Sequence, residues 1–414
     1  MDIRVIKRGE WVLKTIMFLS SVPDERIEPY MKTAAGLGYR CVFCGKEDAC
    51  ARSLADAYYI SDWSDTGELI RIAEKEKIDG VIALTDPSVI PAAKIAYALG
   101  LPGNPPESLE KLISKGAFRT LQEKAGLFCP KHAVFCSFDE IGGGTDDMRY
   151  PLIVKPLLCS TSFGQTILED EAGMKEAFDK AAARSRDGRV CIEEYIEPGS
   201  LCTLEAEVFV EGDDILFEGV RDSWHTEEAR TRPVYDVYPA HLTEEESEKL
   251  RHETAGALRA AGIRHGEFDM EGFFNRDGEF FVVEINARPS GYYNPQHIKL
   301  STGVDLPKLL VTTSAGDMRY FNELKEFRRS ARNILSYSVF PPEDGILDHI
   351  HIAPEMEARL IAFDALDEPK KGDRVTGLKT AEWPIVQAAF EFETAEELEA
   401  ARKQISSLVY AVTE

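Results

Sequence analysis

The chain has 414 residues and carries 48 Lys and Arg against 72 Asp and Glu, which gives a formal net charge of −24. Hydrophobic residues make up 44% of the sequence, a fraction typical of folded proteins and too high for a disordered chain. Nucleic acids and anionic membranes repel a negative surface, so neither is expected as a partner. The sequence contains no apolar stretch of about 18 residues, so no membrane span is predicted and we expect a cytoplasmic protein.

Strand and helix patterns alternate through the first 110 residues. Short apolar runs at 15–21 and 80–85 predict buried strands, and the stretch 66–77 has the spacing of an amphipathic helix. This βαβα order predicts a parallel sheet covered by helices. The Gly-Asn-Pro-Pro segment at 103–106 interrupts the pattern and indicates a boundary.

Beyond this boundary a helix is predicted over 108–125, and the pattern changes from about residue 152. Shorter strands and hairpins then dominate, interrupted by helices predicted over 171–183 and 243–261, so this part is expected to be α+β. A last helix is predicted over 395–408. The predicted strands of this part are 152–156, 190–194, 204–210, 215–219, 266–275 and 279–286.

The segment 268–289 carries the pattern that says most about chemistry. Its Asp277-Gly278 dipeptide is a strong signal for a two-residue hairpin turn. Counting outward from such a turn places Glu271 directly opposite Glu284 on the neighbouring strand. A four-residue loop would shift this pairing, so the pairing depends on the length of the turn.

Two facing carboxylates repel each other unless they are solvated or a cation lies between them. Magnesium is commonly held by one or two carboxylates, waters and substrate phosphates, and Asn286 on the same strand face could add a neutral oxygen. Arg288, also on that face, carries a planar donor pair that fits a phosphoryl group or a carboxylate. A solvated hairpin face with surface ion pairs remains the alternative interpretation.

Further upstream, three weaker signals suggest a site for phosphates and a base. Lys155 follows an apolar strand, and the Ser/Thr/Gly segment 160–166 could direct backbone N–H groups at an anion. Lys115 lies in the predicted helix 108–125. The apolar strand 190–194 runs into an acidic, extended segment whose backbone could meet an adenine edge. Each signal alone is also typical of an ordinary loop, a solvated lysine or a strand end.

Taken together and in this order, these segments resemble the ATP-grasp family, which includes biotin carboxylase, carbamoyl-phosphate synthetase, D-alanine ligase and L-amino-acid ligases. The resemblance covers nearly the whole chain. The residues and motifs that carry the resemblance are Lys115, IVKP at 153–156, EEYI at 193–196, FDMEGF at 268–273 and VEINARPSG at 283–291.

The resemblance implies a multidomain protein of the α/β and α+β classes. Residues 1–110 are expected to form an N-terminal parallel α/β domain. Residues 111–315 would form an ATP-grasp domain with two α+β subdomains, of which the lid covers about 152–218. Residues 316–414 would form a small C-terminal α+β subdomain.

The resemblance also implies roles for individual residues. Lys115 and Lys155 would bind the phosphates of ATP, and a loop over them would close as a lid. The metal would be Mg²⁺ or Mn²⁺. The remaining nucleotide-binding residues would be Ser160, Ser162 and Gly164 in the lid, and Glu193, Glu194, Ile196 and Glu205 around the adenine. The metal ligands would be Glu271, Glu284 and Asn286.

Arg288 and Lys155 would be the catalytic residues, with Arg288 stabilising the transferred phosphoryl group. The substrate-binding residues that we expect from the surrounding segments are Arg232, Ser290, Gly291 and His297. The stretch 221–225 could also anchor a substrate, although a basic surface loop is an equal alternative.

Three positions depart from the family pattern. The phosphate loop has one glycine where many members have several. Leu201 stands where several relatives place a ribose-binding glutamate. The usual RPxGG motif reads Arg-Pro-Ser-Gly-Tyr-Tyr at 288–293, and Tyr292 could narrow the substrate pocket.

The function that the resemblance implies is that of an ATP-dependent carboxylate–amine ligase acting through an acyl-phosphate, on amino acids or a related small metabolite. A carboxylating or purine-pathway enzyme of the same family is one alternative. A catalytically inactive nucleotide-binding regulatory protein is another. The expected partners are small-molecule carboxylates and amines, and a homodimer is expected because family members often dimerise.

Overall fold

The computed structural model describes residues 14–20, 27–45, 50–61, 63–159, 164–226, 233–291, 293–327, 331–365, 368–379, 381 and 383–414. The strands are β1 Thr15–Ser20, β2 Arg40–Gly45, β3 Ala57–Ile60, β4 Gly80–Ala83, β5 His132–Phe135, β6 Leu152–Pro156, β7 Thr166–Leu168, β8 Val190–Glu194, β9 Cys202–Glu211, β10 Asp214–Trp224, β11 Tyr235–Tyr238, β12 His265–Phe274, β13 Phe280–Asn286, β14 Asn333–Val339, β15 Gly345–Ile352, β16 Leu360–Asp364, β17 Arg374–Val375, β18 Val386–Phe392 and β19 Val409–Thr413. The helices are α1 Glu28–Gly36, α2 Thr66–Glu76, α3 Asp86–Leu99, α4 Pro106–Ile113, α5 Lys115–Lys124, α6 Met174–Arg184, α7 Glu244–Ala261, α8 Asn294–Thr302, α9 Leu306–Ser314, α10 Arg319–Glu326, α11 Pro354–Glu357, α12 Ala395–Arg402 and α13 Ile405–Leu408.

The chain divides into two compact units. The first contains the described residues up to Gly103 together with Leu306–Leu324. Its four strands pair in parallel in the order β3-β2-β1-β4. Every residue of β1 is buried, as expected for a strand whose sheet is covered on both faces. The predicted parallel N-terminal sheet is therefore confirmed.

The second unit contains Asn104–Asp305 and Lys325–Glu414. An antiparallel sheet of eight strands runs through it in the order β13-β12-β9-β10-β11-β14-β18-β16, and a second antiparallel sheet has the order β5-β8-β6-β7. A third, small sheet has the order β17-β15-β19. The combination of a parallel sheet with large antiparallel sheets agrees with the predicted α/β and α+β fold class.

The helix predicted over 108–125 is wrong as a single element, because α4 ends at Ile113 and α5 begins at Lys115. Ser114 between them has an extended backbone, with φ −85° and ψ 115°, and its hydroxyl accepts a hydrogen bond from the backbone N–H of Ala117. Serine in this role caps a helix. The break places Lys115 in the first turn of α5 rather than in the middle of a long helix.

The hairpin of β12 and β13 confirms the predicted pairing but not the predicted turn. Glu271 faces Glu284, as expected. The turn, however, contains residues 276–278, because the backbone N–H of Asn275 donates to the carbonyl of Glu279. This three-residue turn shifts the register by one residue relative to the predicted two-residue turn. A bulge next to Glu271 shifts it back: Val283 has no partner in the strand register, and Glu271 pairs with Glu284 as predicted.

A buried ion network joins the eight-stranded and the four-stranded antiparallel sheets of the second unit. Arg119 of α5 and Glu193 of β8 are each 1% exposed, and Arg119 Nε lies 3.2 Å from Glu193 Oε1. The other oxygen of Glu193 accepts from Lys155 Nζ at 2.7 Å. Arg119 Nη2 also donates to the carbonyl of Val283 in β13 at 2.9 Å. Two strands of the four-stranded sheet, β6 and β8, and strand β13 of the eight-stranded sheet therefore meet at three charged side chains.

The network also fixes the charge of its carboxylate. Burial alone would raise the pKa of Glu193, but Arg119 and Lys155 outweigh it and lower the pKa to about 2. The carboxylate is therefore charged at neutral pH and down to a pH of about 2.

Replacing Glu193 by glutamine should strongly reduce the free energy of unfolding. The variant leaves Arg119 and Lys155 buried without a carboxylate, and breaking a buried pair in this way costs about 3–5 kcal/mol. Chemical denaturation at neutral pH measures the loss. A change below about 1 kcal/mol would contradict a structural role for the network.

The matched control is Asp179→Asn, which removes a carboxylate from an exposed helical pair with Lys175. Exposed pairs contribute about 1 kcal/mol or less, so this variant should be nearly as stable as the parent. Because the pKa of Glu193 is lowered, its contribution is present above about pH 4.5 and is lost as the pH falls toward 2. The difference between the Glu193 variant and the parent should therefore shrink in acid.

Candidate active site

Three neighbouring strands of the large sheet carry carboxylates side by side. Glu205 of β9 is the register partner of Glu271 of β12, and Glu271 is the register partner of Glu284 of β13. We call these three residues the acidic row. Arg221 of β10 lies opposite Glu205 and forms an ion pair with it, so the strand on one side supplies a compensating charge.

At the other end of the acidic row, the described residues form no ion pair with Glu271, and the charge of Lys115 lowers the pKa of Glu271 less than the other influences raise it. Burial raises the pKa of Glu271 well above its usual range, and the neighbouring carboxylates Glu284, Glu205 and Asp269 raise it further. Asn286 donates a hydrogen bond from Nδ2 to Glu284 Oε1 at 3.1 Å, so the amide lies beside the facing carboxylates. A divalent cation between Glu271 and Glu284 would remove their repulsion, and the predicted ligand set therefore fits Mg²⁺.

No group of three or more His, Cys, Asp or Glu within the described ranges is arranged to hold a metal ion. The predicted set contains two carboxylates and one amide. Substrate phosphates and water are the ligands that Mg²⁺ usually adds to such a set.

Asp269 lies two residues before Glu271 on β12, on the same face of the sheet, and it binds the predicted catalytic arginine. Arg288 Nη1 lies 3.1 Å from Asp269 Oδ2 and also donates to the carbonyl of Pro289 at 2.9 Å. Asp269 is the register partner of Asn286 and lies 3.9 Å from the guanidinium of Arg221. Arg288 is thus fixed at the end of β13, next to the predicted metal ligands.

A cavity of about 280 Å³ lies between the two antiparallel sheets of the second unit. Seven residues that the sequence predicts for the nucleotide and the metal line it. These are Lys115, Lys155, Glu193, Glu194, Ile196, Glu271 and Glu284.

The two lysines in this cavity are held by acceptors. Lys115 Nζ donates to the backbone carbonyl of Cys159 at 3.2 Å. Lys155, with only 7% of its side chain exposed, pairs with Glu193 as described above. The cavity therefore has ammonium groups on one wall and the facing carboxylates Glu271 and Glu284 on another. Such a distribution suits an anion that carries a metal ion.

The sequence did not single out two polar residues of the cavity. Arg119 was indistinguishable from a solvated helix arginine. Thr203 lies two residues before Glu205, and strand alternation could have placed it on the same face. His225, just after β10, belongs to the segment 221–225 that the sequence offers as a substrate anchor, and it also lines the cavity. Thr203 Oγ1 lies 3.1 Å from His225 Nε2, so a hydroxyl and an imidazole stand together in the wall.

Other predicted site residues lie elsewhere. Leu201 is 37% exposed and does not line the cavity, in keeping with its loss of a polar role. Ser160, Ser162 and Arg232 lie outside the described residues. Gly164 is buried and has φ +89°, a backbone conformation that favours glycine.

The predicted substrate residues divide into two groups. The backbone N–H of Ser290 donates to Glu207 Oε2 at 3.3 Å, and Gly291 beside it is half-buried. His297, in contrast, is fully buried, with Nδ1 at 2.9 Å from Ser336 Oγ and Nε2 at 3.2 Å from Asp364 Oδ2. Protein groups engage both of its ring nitrogens, and it does not line the cavity.

The segment 221–225 is mostly a strand rather than a surface loop. Arg221, Asp222 and Ser223 are buried within β10, where the charge of Arg221 is used by Glu205. Its interpretation as a basic surface loop is therefore wrong.

Two family models match the chain. The ATP-grasp N-terminal domain matches residues 31–103, and the model described as carbamoyl-phosphate synthase L chain, ATP binding domain, matches residues 115–317. Together they cover three of the four strands of the parallel sheet and the cavity. No helix within the described ranges has the length and apolar character needed to cross a bilayer.

Curated relatives match at low identity. The chain is 25% identical over 288 residues to the uncharacterized protein y4rH of Sinorhizobium fredii, a match that covers 69% of this chain and 58% of that protein. It is 22% identical over 302 residues to the carbamoyl phosphate synthase large chain of Vibrio parahaemolyticus, covering 70% of this chain and 27% of that one. The chain thus spans 58% and 27% of the length of these two relatives.

Solved structures share the fold over nearly the whole chain. The L-amino acid ligase from Bacillus licheniformis matches with a TM-score of 0.80 and 20% identity, over 97% of this chain and 99% of that one. Phosphoribosylglycinamide synthetase from Anaerococcus prevotii matches with a TM-score of 0.75 and 18% identity, over 97% and 100%. Biotin carboxylase from Campylobacter jejuni matches with a TM-score of 0.69 and 15% identity, over 97% and 92%.

The two matching domains and the shared architecture lead to one conclusion, which agrees with the resemblance seen in the sequence: the chain belongs to the ATP-grasp family.

Proposed function

We propose that the protein is an ADP-forming ligase that activates a carboxylate as an acyl-phosphate and joins it to an amine, with amino acids or related small metabolites as substrates. The observation that carries the proposal is the pair of facing carboxylates, Glu271 and Glu284, in the same cavity as Lys115 and Lys155. The fold shared with an L-amino acid ligase over almost the full length of both chains supports this substrate class.

In this proposal the nucleotide occupies the cavity of about 280 Å³. The ammonium groups of Lys115 and Lys155 neutralise phosphate oxygens, and the backbone of Glu194 and Ile196 meets the adenine edge. Glu193 keeps Lys155 in place, because it binds the ammonium at 2.7 Å within a buried pair. Positioning and charge neutralisation of this kind provide most of the catalysis of phosphoryl transfer.

The metal would be held by Glu271, Glu284 and Asn286. When bound, Mg²⁺ or Mn²⁺ neutralises phosphate charge as the phosphoryl group transfers. Without a cation, the burial of Glu271 beside Glu284 favours its protonated form. The two carboxylates are thus arranged for a ligand that carries positive charge.

Arg288 would stabilise the transferred phosphoryl group and the acyl-phosphate through its guanidinium. Its ion pair with Asp269 restrains the side chain before substrate binds, which reduces the conformational freedom lost at that step. The attacking substrate carboxylate would approach between Arg288 and the metal ligands, where opposing negative charges are compensated.

The first test measures ADP and phosphate release with Mg²⁺ and ATP across a panel of single and paired amino acids. We expect turnover that depends on amino acids, and a fall of about 100-fold or more in kcat for Glu284→Gln, the size typical of removing one group that stabilises the transition state. The control Glu355→Gln removes an exposed carboxylate from α11 and should leave kcat unchanged.

The outcomes of this test separate the competing functions. Dependence on pairs of amino acids would support peptide-bond formation. Turnover that needs bicarbonate or a purine precursor instead would favour the carboxylating or purine-pathway alternative. Binding of ATP without turnover under any substrate would favour a regulatory protein, and turnover unaffected by Glu284→Gln would overturn the metal assignment.

A second test concerns the ribose of ATP. We propose that Thr203, supported by His225, replaces the ribose contact that Leu201 cannot make. Thr203→Val should raise KM for ATP about 5-fold, because one hydrogen bond contributes roughly 1 kcal/mol. KM is measured for both 2′-deoxy-ATP and 3′-deoxy-ATP. For the analogue that lacks the hydroxyl contacted by Thr203, the parent and the variant should have the same KM.

Leu201→Ala is the matched control for this experiment. Leu201 is absent from the cavity wall, so KM for ATP should not change. An equal rise in KM for ATP and both deoxy analogues in Thr203→Val would contradict the ribose assignment.

A further inference from the structure

Two buried glutamates lie next to each other behind the predicted catalytic arginine. Glu207 of β9 is 0% exposed and Glu267 of β12 is 4% exposed. Glu207 is the register partner of Asp269, so Glu267, two residues earlier on β12, is its diagonal neighbour on the same face. Glu207 Oε1 and both carboxyl oxygens of Glu267 receive no hydrogen bond from the part of the chain that the structure describes.

Two carboxylates that are buried side by side cannot both keep their charge without a large cost in free energy. If one of them is protonated, its O–H can donate to the other, and the pair carries a single negative charge. Burial raises the pKa of both groups, and the proximity of Glu207 raises the pKa of Glu267 further. The two groups therefore titrate as a unit and not one by one.

Within the part of the chain that the structure describes, the cations around the pair do not balance two negative charges on it. Arg221 Nη1 lies 3.6 Å from Glu207 Oε1, but the same guanidinium also pairs with Glu205. The titratable and charged groups that face the pair or lie opposite it in the register are Glu205 on β9, Arg221 and Glu218 on β10, Tyr238 on β11, Asp269 on β12 and Arg288 after β13.

Two chains of contacts connect Glu207 and Glu267 to the predicted catalytic arginine. Glu207 Oε2 accepts the backbone N–H of Ser290 at 3.3 Å, and Ser290 is two residues beyond Arg288. Arg221, which contacts Glu207, lies 3.9 Å from Asp269, and Asp269 holds Arg288 at 3.1 Å. The charge of the pair therefore acts on Arg288 through the backbone of the following segment and through an ion-pair chain.

We propose that Glu207 and Glu267 form an acid pair that shares one proton and positions Arg288 and Ser290 for catalysis, an inference that rests on the proposed ligase function. Both glutamates are positioning residues, because neither lines the cavity. Loss of the shared proton would place a second negative charge on the pair. Arg221 would then be drawn toward the pair and away from Asp269, and Asp269 and the Arg288 that it binds would shift from their positions.

The test compares Glu267→Gln with Glu267→Leu. The glutamine keeps the shape of the side chain and supplies a permanent N–H donor to Glu207, so kcat near pH 7 should stay within about 3-fold of the parent. The parent should lose kcat about tenfold per pH unit above the pKa of the pair, whereas Glu267→Gln should lack this alkaline decline. The leucine removes the donor, and its kcat should fall at least about tenfold while KM for ATP stays unchanged.

A second measurement does not depend on turnover. The raised pKa means that the folded protein holds a proton that the unfolded chain has released, so stability falls as the pH rises from about 4.5 toward the pKa of the pair. Glu267→Gln lacks this proton. Relative to the parent, its unfolding equilibrium constant should therefore decrease by up to about tenfold per pH unit over this range.

The two measurements separate the ways in which the inference can fail. Equal pH dependence of unfolding in the parent and in Glu267→Gln would overturn the shared proton. A changed unfolding profile with an unchanged kcat profile would overturn the positioning role. Absence of turnover with every substrate would overturn the proposed function together with the positioning role, while the unfolding profile would still decide whether the proton is shared.

Discussion

The buried contact of Glu193 with Arg119 and Lys155 is the interaction on which the second unit depends most. A single carboxylate serves two cations from different elements, and its pKa of about 2 keeps it charged. Because Arg119 also donates to the carbonyl of Val283, the four-stranded sheet and the eight-stranded sheet are held at a fixed separation. The cavity lies in that gap, so the same contact that stabilises the fold also sets the position of one wall relative to the other.

Charge balance explains the rest of the site. The large sheet concentrates carboxylates on one face, and among the described residues Arg221 and Arg288 form ion pairs with them. An arrangement of this kind is stable in three ways: by pairing with arginine, as Glu205 and Asp269 do, by protonation, or by a bound cation. The face thus divides into a part balanced from within the chain and a part, at Glu271 and Glu284, suited to an external positive charge.

The sequence predicted the fold class, the family and the facing of Glu271 and Glu284, because these depend on strand alternation and on the order of short motifs. It failed where side chains far apart in sequence determine the outcome. The break at Ser114 contains neither proline nor glycine, so the helical pattern continued through it. Arg119 resembled a solvated helix residue, and the roles of His297 and His225 followed only from neighbours that strand pairing brings close.

The bulge at Val283 links the tip of the hairpin to the interior. The three-residue turn at 276–278 shifts the strand register by one residue, and the bulge at Val283, next to Glu284, shifts it back. The carbonyl of Val283, the residue without a register partner, accepts from Arg119 Nη2 at 2.9 Å, and the neighbouring carbonyl of Val282 accepts from Arg119 Nη1 at 3.4 Å. A two-residue turn at 277–278 without a bulge would use the same residues and would also keep Glu271 opposite Glu284. It would return Val283 to the regular strand register, so the length of a solvent-exposed turn is coupled to a buried backbone segment that accepts hydrogen bonds from α5.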